Sequence, residues 1–181
     1  SADRDYIEAA LAQGRAVYLQ RPALELGLNH TLSGRMWQIQ PEPLAAAATT
    51  PLSVRWAGGL QLVRASPLAA VYRPGDMLGL GLAWQTDTPL PSAYTTFIHL
   101  EDAQGQLWGQ EDRPPALAQT NQWPVGAAQT ELYALALDPQ IPPGRYLLRL
   151  GWYDPATLQR LPLADGSGDA FDLAEIEVVG R

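Results

Sequence analysis

The run Pro142-Pro-Gly-Arg-Tyr-Leu-Leu-Arg-Leu-Gly-Trp-Tyr-Asp154 decides how the chain folds. Its side chains alternate: Tyr146, Leu148, Leu150 and Trp152 fall on one side, and Leu147, Arg149 and Tyr153 on the other. A period of two with one apolar face is the pattern of a strand that covers a core. Trp152 therefore belongs to that core. The residues before the strand, Asp138-Pro139 and Pro142-Pro-Gly144, fit a loop that crosses from one sheet to another. A Tyr at the entry to such a late strand reads as a tyrosine corner, whose hydroxyl turns back onto the crossing loop.

The same rhythm continues in both directions from Leu52 onward. In Met77-Leu-Gly-Leu-Gly-Leu-Ala-Trp84, Leu78, Leu80, Leu82 and Trp84 share a face, and Gly79, Gly81 and Ala83 share the other. Small residues on a strand face suggest that another element passes close over it; the N-terminal segment is one candidate cover. Leu60–Ser66, Tyr94–Leu100, Gln106–Glu111, Thr130–Leu137 and Phe171–Val179 read as further strands, with Leu158–Leu163 as a short return. Glu101-Asp-Ala-Gln-Gly105 is a tight turn between two of them, with Gly where positive φ is needed. Arg113 to Gly126 is a long crossing loop. Roughly seven to nine short strands at such spacing predict a mainly β fold, an immunoglobulin-like antiparallel β-sandwich.

Composition agrees. The 181 residues include 46% hydrophobic residues, enough for a real core, and 16 Gly with 16 Pro, a density suited to short strands and many turns. Six Trp and seven Tyr stand against two Phe. The net charge is −7, and every basic residue is Arg. A negative chain without a basic stripe disfavours nucleic acid as a partner. With no Cys, disulfides, thiolate metal sites and Cys nucleophiles are all excluded. No apolar run approaches the roughly 20 residues that a membrane span needs, and no signal peptide is visible.

Residues 1–51 read differently. Asp3 to Gln13 predicts a helix, with Asp3 or Asp5 as N-cap, Ile7, Ala10 and Leu11 on one face, and Gly14 ending it. Arg15–Gln20 and Arg35–Gln40 are strand candidates, and Leu24–Leu28 a helical turn. This piece is too small to hold a core alone and must dock on something. Pro41 to Pro51, with an Ala/Thr run among prolines, reads as a linker. The expected division is a small N-terminal α/β appendage with its linker over 1–51, and the sandwich over 52–181.

Four blocks in order carry a resemblance: Tyr94 to Asp112, Trp123-Pro-Val-Gly126, Ile141 to Asp154, and Gln159-Arg-Leu-Pro-Leu163. Together they are similar to the soluble β-sandwich that follows the membrane spans in bacterial glycosyltransferases of the dolichyl-phosphate-mannose–protein mannosyltransferase type. The likeness covers about 60–179, and the piece before the linker resembles the connector after the last span. Two positions depart from the pattern. The acid of Glu131-Leu-Tyr133 stands one residue early, and Leu158 occupies a place where a turn Gly is usual. The resemblance implies an extracytoplasmic domain at the cell membrane, part of a larger membrane protein. It implies that any catalysis sits in the membrane-embedded portion of the same polypeptide, and it carries no catalytic residue to this segment.

Three groups of residues are candidate sites. Trp108, Trp123, Tyr94 and Tyr153 could form an aromatic platform, since the apolar C–H faces of sugars stack on ring faces. Asp112 and Asn121, with Arg113 and Gln122 nearby, would bond hydroxyls; packing in core or loops is the plain alternative. Asp165, Asp169 and Asp172 lie along a Gly-rich turn that resembles a loose calcium loop, without EF-hand spacing. His99 and Glu101 share a strand face beside Asp102, but a metal or acid–base site needs a third partner, and His30 would have to converge on them. Glu101, Glu111 and Asp112 are available for glycoside hydrolysis by carboxylates, though nothing in the sequence singles them out. Nucleophile-elbow and phosphate-loop motifs are absent.

The expectation is a non-catalytic accessory or interaction domain that needs no cofactor and sits beside its own membrane portion, near glycan or lipid-linked sugar. A carbohydrate-binding module and a carboxylate-based hydrolase are the alternatives. An exposed aromatic row would favour the module, a deep cleft with two carboxylates the hydrolase, and a closed core with loop grooves the accessory domain.

Overall fold

The two most regular stretches of the sequence become the centres of two facing sheets. The computed structural model describes residues 7, 9–11, 17–19, 28–33, 36–43 and 48–180. In chain order the strands are β1 (Val17–Leu19), β2 (Leu28–Ser33), β3 (Met36–Pro43), β4 (Thr50–Arg55), β5 (Leu60–Ala65) and β6 (Val71–Tyr72). They continue with β7 (Met77–Thr86), β8 (Thr95–Glu101), β9 (Leu107–Arg113), β10 (Gln129–Ala136), β11 (Gly144–Tyr153) and β12 (Phe171–Val178). Of the two facing sheets, one has the order β10-β7-β5-β4 and the other β6-β12-β11-β8-β9; a third, three-stranded sheet has the order β1-β3-β2. All pairings are antiparallel except the short β6–β12 ladder, which is parallel. The protein is a mainly β, immunoglobulin-like sandwich.

Alternation explains the core. Leu78, Leu80, Leu82 and Trp84 of β7 meet Tyr146, Leu148, Leu150 and Trp152 of β11, all buried. Antibody domains join the two corresponding strands by a disulfide. This chain has no Cys, and Trp84 and Trp152 meet edge to face there at 4.8 Å. Trp56 packs on Trp84 and Trp123 on Trp152, so four indoles form a continuous row through the interior. The tyrosine corner is present: the Tyr146 hydroxyl donates to the Pro142 carbonyl at 2.7 Å. Gly105 has the positive φ of 76° expected of its turn.

Of the small residues of β7, Ala83 and Gly81 are buried and Gly79 is half-buried, and β2 passes close to β7. Met77 and Ala134 form a second small apolar cluster on that side of the sheet, with Leu132 against it.

Several expectations are corrected. The linker does not begin at Pro41, because β3 runs on to Pro43. Nor does it reach Pro51, which lies in edge strand β4, where Pro interrupts no essential ladder bond. The proposed helical turn at Leu24–Leu28 gives way at Leu28 to β2, an unforeseen strand that pairs with β3; residues 24–27 lie outside the described residues. The short return at Leu158–Leu163 makes two isolated bridges, Tyr153 with Arg160 and Trp56 with Leu163. Of the N-terminal helix, residues 7 and 9–11 are described and helical, with Ile7 and Ala10 buried. Its proposed caps at Asp3, Asp5 and Gly14 lie outside the described residues, as does the strand expected at Arg15 and Ala16 before β1. No helix among the described residues is long and apolar enough to cross a membrane.

Candidate functional site

Side chains that point away from the core on β8, β9 and β11 make a polar face on the five-stranded sheet. The register sets Arg149 beside His99 and His99 beside Gln110; one step along, Gly151 stands beside Phe97 and Phe97 beside Asp112. Alternation puts Phe97, His99 and Glu101 outward while Ile98 and Leu100 go to the core.

Charge on this face is paired almost throughout. The His99 ring nitrogens face two carboxylates, Nδ1 to Glu101 Oε1 at 3.6 Å and Nε2 to Asp112 Oδ1 at 3.3 Å. Arg149 donates to Glu101 Oε2 at 3.1 Å and through Nε to Asp172 Oδ1 at 2.7 Å. Those carboxylates raise the affinity of Arg149 for its proton, with the Asp172 hydrogen bond the largest cause. Asp112 therefore supplies the partner that His99 and Glu101 lacked in the sequence reading. His30 lies in β2, a strand of a different sheet. Among the described residues, no group of three or more His, Asp or Glu is arranged to hold a metal ion.

At the next step along the face, the sheet is layered. A Cβ on Gly151 would lie 2.5 Å from the Phe97 ring and 2.7 Å from the Asp169 carbonyl oxygen. Phe97 can occupy this spot only because residue 151 is Gly. The Arg160 guanidinium covers the ring at 4.2 Å from its centroid, and Arg160 reaches Asp169 at 3.4 Å. Beside this stack, Phe97, Asp112, Tyr153, Leu158 and Arg160 line an open groove of about 230 Å³. At the other end of the same face, Glu101, Arg145, Tyr146, Arg149 and Glu175 border a wider depression of about 570 Å³.

The aromatic platform is not assembled. Trp123 is buried against Trp152, and its Nε1 donates to the Ala118 carbonyl at 3.0 Å. Trp108 is half-buried at a β-bulge, packs edge-on to Tyr146, and donates through Nε1 to Asp102 at 2.9 Å. Since Tyr146 and Trp152 are six residues apart on one strand, the two indoles are anchored roughly 20 Å apart. The physical reason is area: indoles are the largest apolar surfaces available, and the interior takes them. Tyr94 is half-buried, its backbone N–H bonded to Thr120 Oγ1. Burial, reinforced by the Asp154 charge, pushes its phenol up. Asn121 is exposed in the turn Thr120–Gln122. Of the six residues, Tyr153 and Asp112 meet in the groove.

The proposed calcium ligands also serve separate partners. Asp165 Oδ1 accepts from the Ser167 amide and hydroxyl, which hold its carboxyl below the ordinary range. Asp169 faces Arg160 and Asp172 faces Arg149. Asp102 closes its own turn and is held low by the Trp108 indole and the Gln106 and Gln104 amides. Glu111 and Asp112, adjacent on β9, point to opposite sides. Glu111 pairs with Arg113 at 3.4 Å, and burial pushes its carboxyl up despite the Arg113 charge.

No protein-family model matches this chain, and no curated protein matches it. Among solved structures it is similar to the C-terminal domain of Wzt, with a TM-score of 0.49 and 10% identity, over 75% of this chain and 83% of that one. It is also similar to a β-glucosidase from Listeria innocua, in complex with gluconolactone, with a TM-score of 0.39 and 15% identity over 77% of this chain. This chain spans only 18% of that enzyme. A CARDB domain from Pyrococcus furiosus, in complex with di-metal ions, has a TM-score of 0.37 and 10% identity, over 77% of this chain and 99% of that one. These likenesses transfer no residue role, and the site rests on its own geometry.

Sequence reading missed Arg149, Arg160, Phe97 and Leu158 as site residues. Gly151 was the available signal: a Gly within the strongest strand marks a close approach, and its cross-strand neighbour is Phe97. Arg160 arrives from a return segment whose course depends on tertiary bridges, so no local period could have placed it.

Proposed function

We propose that this chain is a non-catalytic accessory domain, joined to the membrane-embedded portion of a glycosyltransferase-like protein on the extracytoplasmic side. There it helps to position glycan or lipid-linked sugar. The sandwich begins with β4 at Thr50, and the residues before it connect it to the rest of the polypeptide. The observation that carries this reading is the state of the polar face. Glu101, Asp112 and Asp172 each have a cationic or imidazole partner, and they lie on an open sheet surface beside shallow grooves. Glycoside hydrolysis needs one acid held protonated and one carboxylate free across a cleft. A surface of closely paired polar groups suits recognition better, because such groups are held in place to meet polar ligands. The resemblance of the four sequence blocks supplies the membrane context.

The test is an assay of the isolated chain against nitrophenyl glycosides and oligosaccharides. The expected result is no hydrolysis above the buffer rate. Turnover that disappears in Glu101→Gln or Asp112→Asn would overturn the non-catalytic reading.

A further inference from the structure

We infer that the groove formed by Phe97, Asp112, Tyr153, Leu158 and Arg160 is a binding subsite for one neutral sugar ring. This deepens the reading above and rests on it in one respect, that the domain binds glycan without cleaving it. The Arg160 guanidinium sits over the Phe97 ring and is restrained by Asp169, while Asp112 Oδ1 stands 3.3 Å from His99 Nε2. A donor and an acceptor are thus set in place before a ligand arrives, which lowers the ordering cost of binding. Their charges are opposite and both border the groove. An anion would meet Asp112 and a cation would meet Arg160, whereas neutral hydroxyls can accept from one and donate to the other.

Leu158 stands at the edge of the groove. It has a φ of 59° and is 73% exposed. Left-handed backbone is unfavourable for a γ-branched L-residue, and Gly would relieve it. The turn holds this conformation, the Leu158 N–H donating to the Asp154 carbonyl at 2.7 Å, yet the side chain itself stays exposed where a Gly would serve the turn better. Strained residues that persist at a groove are a mark of use. Leu158 stands on the same groove as the half-buried Tyr153. Together they offer an apolar wall for the C–H face of a ring whose hydroxyls reach Asp112 and Arg160. At about 230 Å³ the space suits a single ring rather than a chain buried along its length.

The experiment is an amide NMR titration of the 181-residue chain with the methyl glycosides of glucose, galactose and mannose, and with glucuronate as a charged control. At least one neutral glycoside should give saturable shifts at Asp112, Tyr153, Leu158 and Arg160, with a Kd on the order of 1 mM, and glucuronate should bind more weakly. Leu158→Gly should weaken binding about tenfold while raising the thermal midpoint, a combination that a purely structural Leu would not give. Arg160→Gln should weaken it by at least as much; Asp112→Asn provides an independent variant if the loss of the Phe97 stack unfolds the chain. Absence of saturable shifts with every neutral glycoside, shifts confined to other surfaces, or equal binding of glucuronate would each overturn the subsite. Any of these would leave the accessory reading standing, whereas hydrolysis of a bound glycoside would sink that reading and spare the groove.

Discussion

Substituting Gly151 by Ala tests the layered part of the face with one methyl group. The added Cβ would lie 2.5 Å and 2.6 Å from two carbons of the Phe97 ring and 2.7 Å from the Asp169 carbonyl oxygen. Unstrained carbon contacts need about 3.5–4.0 Å, so at least one neighbour must move by roughly 1 Å. Phe97 is 1% exposed and has Arg160 on its other face; the carbonyl is backbone. Neither can yield freely. Overpacking of this kind costs about 1–3 kcal/mol, and the clash on two sides places Gly151→Ala near the upper end. The entropic gain of replacing Gly, about 0.5–1 kcal/mol, offsets only part of it. A net loss of about 2 kcal/mol lowers the melting temperature by roughly 4–8 °C in a chain of this size. Circular dichroism melts and urea midpoints would measure it. Phe97→Ala should be destabilising alone, by about 3–5 kcal/mol. In that background Gly151→Ala should cost much less, a coupling that a double-mutant cycle reads directly. A Gly151→Ala variant as stable as the parent, or a cycle with no coupling, would refute the packing of Phe97 over Gly151.

Other residues give further predictions. Burial pushes the Tyr133 phenol up to about 12, so the folded state holds its proton more tightly than the unfolded chain does. Its contribution is complete below pH 10 and is lost as pH rises from about 10 to 12, on the order of a few kcal/mol in all. Alkaline urea titrations of Tyr133→Phe should lack that loss, and identical alkaline slopes in parent and variant would contradict the assignment. Tyr146→Phe removes the corner bond to Pro142 and should cost about 1 kcal/mol, read as a shift in urea midpoint with unchanged slope. Glu131 is 4% exposed and accepts from Arg113 and the Ala116 amide. Glu131→Ala should cost about 3 kcal/mol, near the lower end for a broken buried pair because Arg113 keeps some contact with water. Equal stability of parent and variant in chemical denaturation would show that the pair does not close this side of the sandwich.

The legibility of the fold follows from what one side chain can report about its own surroundings. Leu78 to Trp84 and Tyr146 to Trp152 repeat every second residue because they cover a core, so their strands and facing sides were readable locally. The corner was readable because a Tyr must enter its strand after a crossing loop, and Tyr146 does so with Pro142 four residues before it. β6 is two residues long and paired only by a distant strand, so it left no period to detect. Pro41 and Pro51 misled for a related reason: Pro signals a break, but an edge strand such as β4 tolerates it. Aromatic residues were the weakest guide to the site. A Trp that stacks on a sugar and a Trp that fills a core have the same local pattern, and Trp123 went inward. The face that remained polar is assembled across β8, β9 and β11 with the return segment at Arg160, from residues 60 or more positions apart at its extremes, as between Phe97 and Arg160. Such convergence is a property of register, which sequence period does not encode.

The most direct measurement is the sequence of the complete polypeptide upstream of Ser1. An accessory domain of a membrane glycosyltransferase-like protein should follow several apolar segments, each long enough to cross a bilayer at roughly 20 residues. A lone cleavable secretion signal, or a polypeptide with no such segments, would contradict the account.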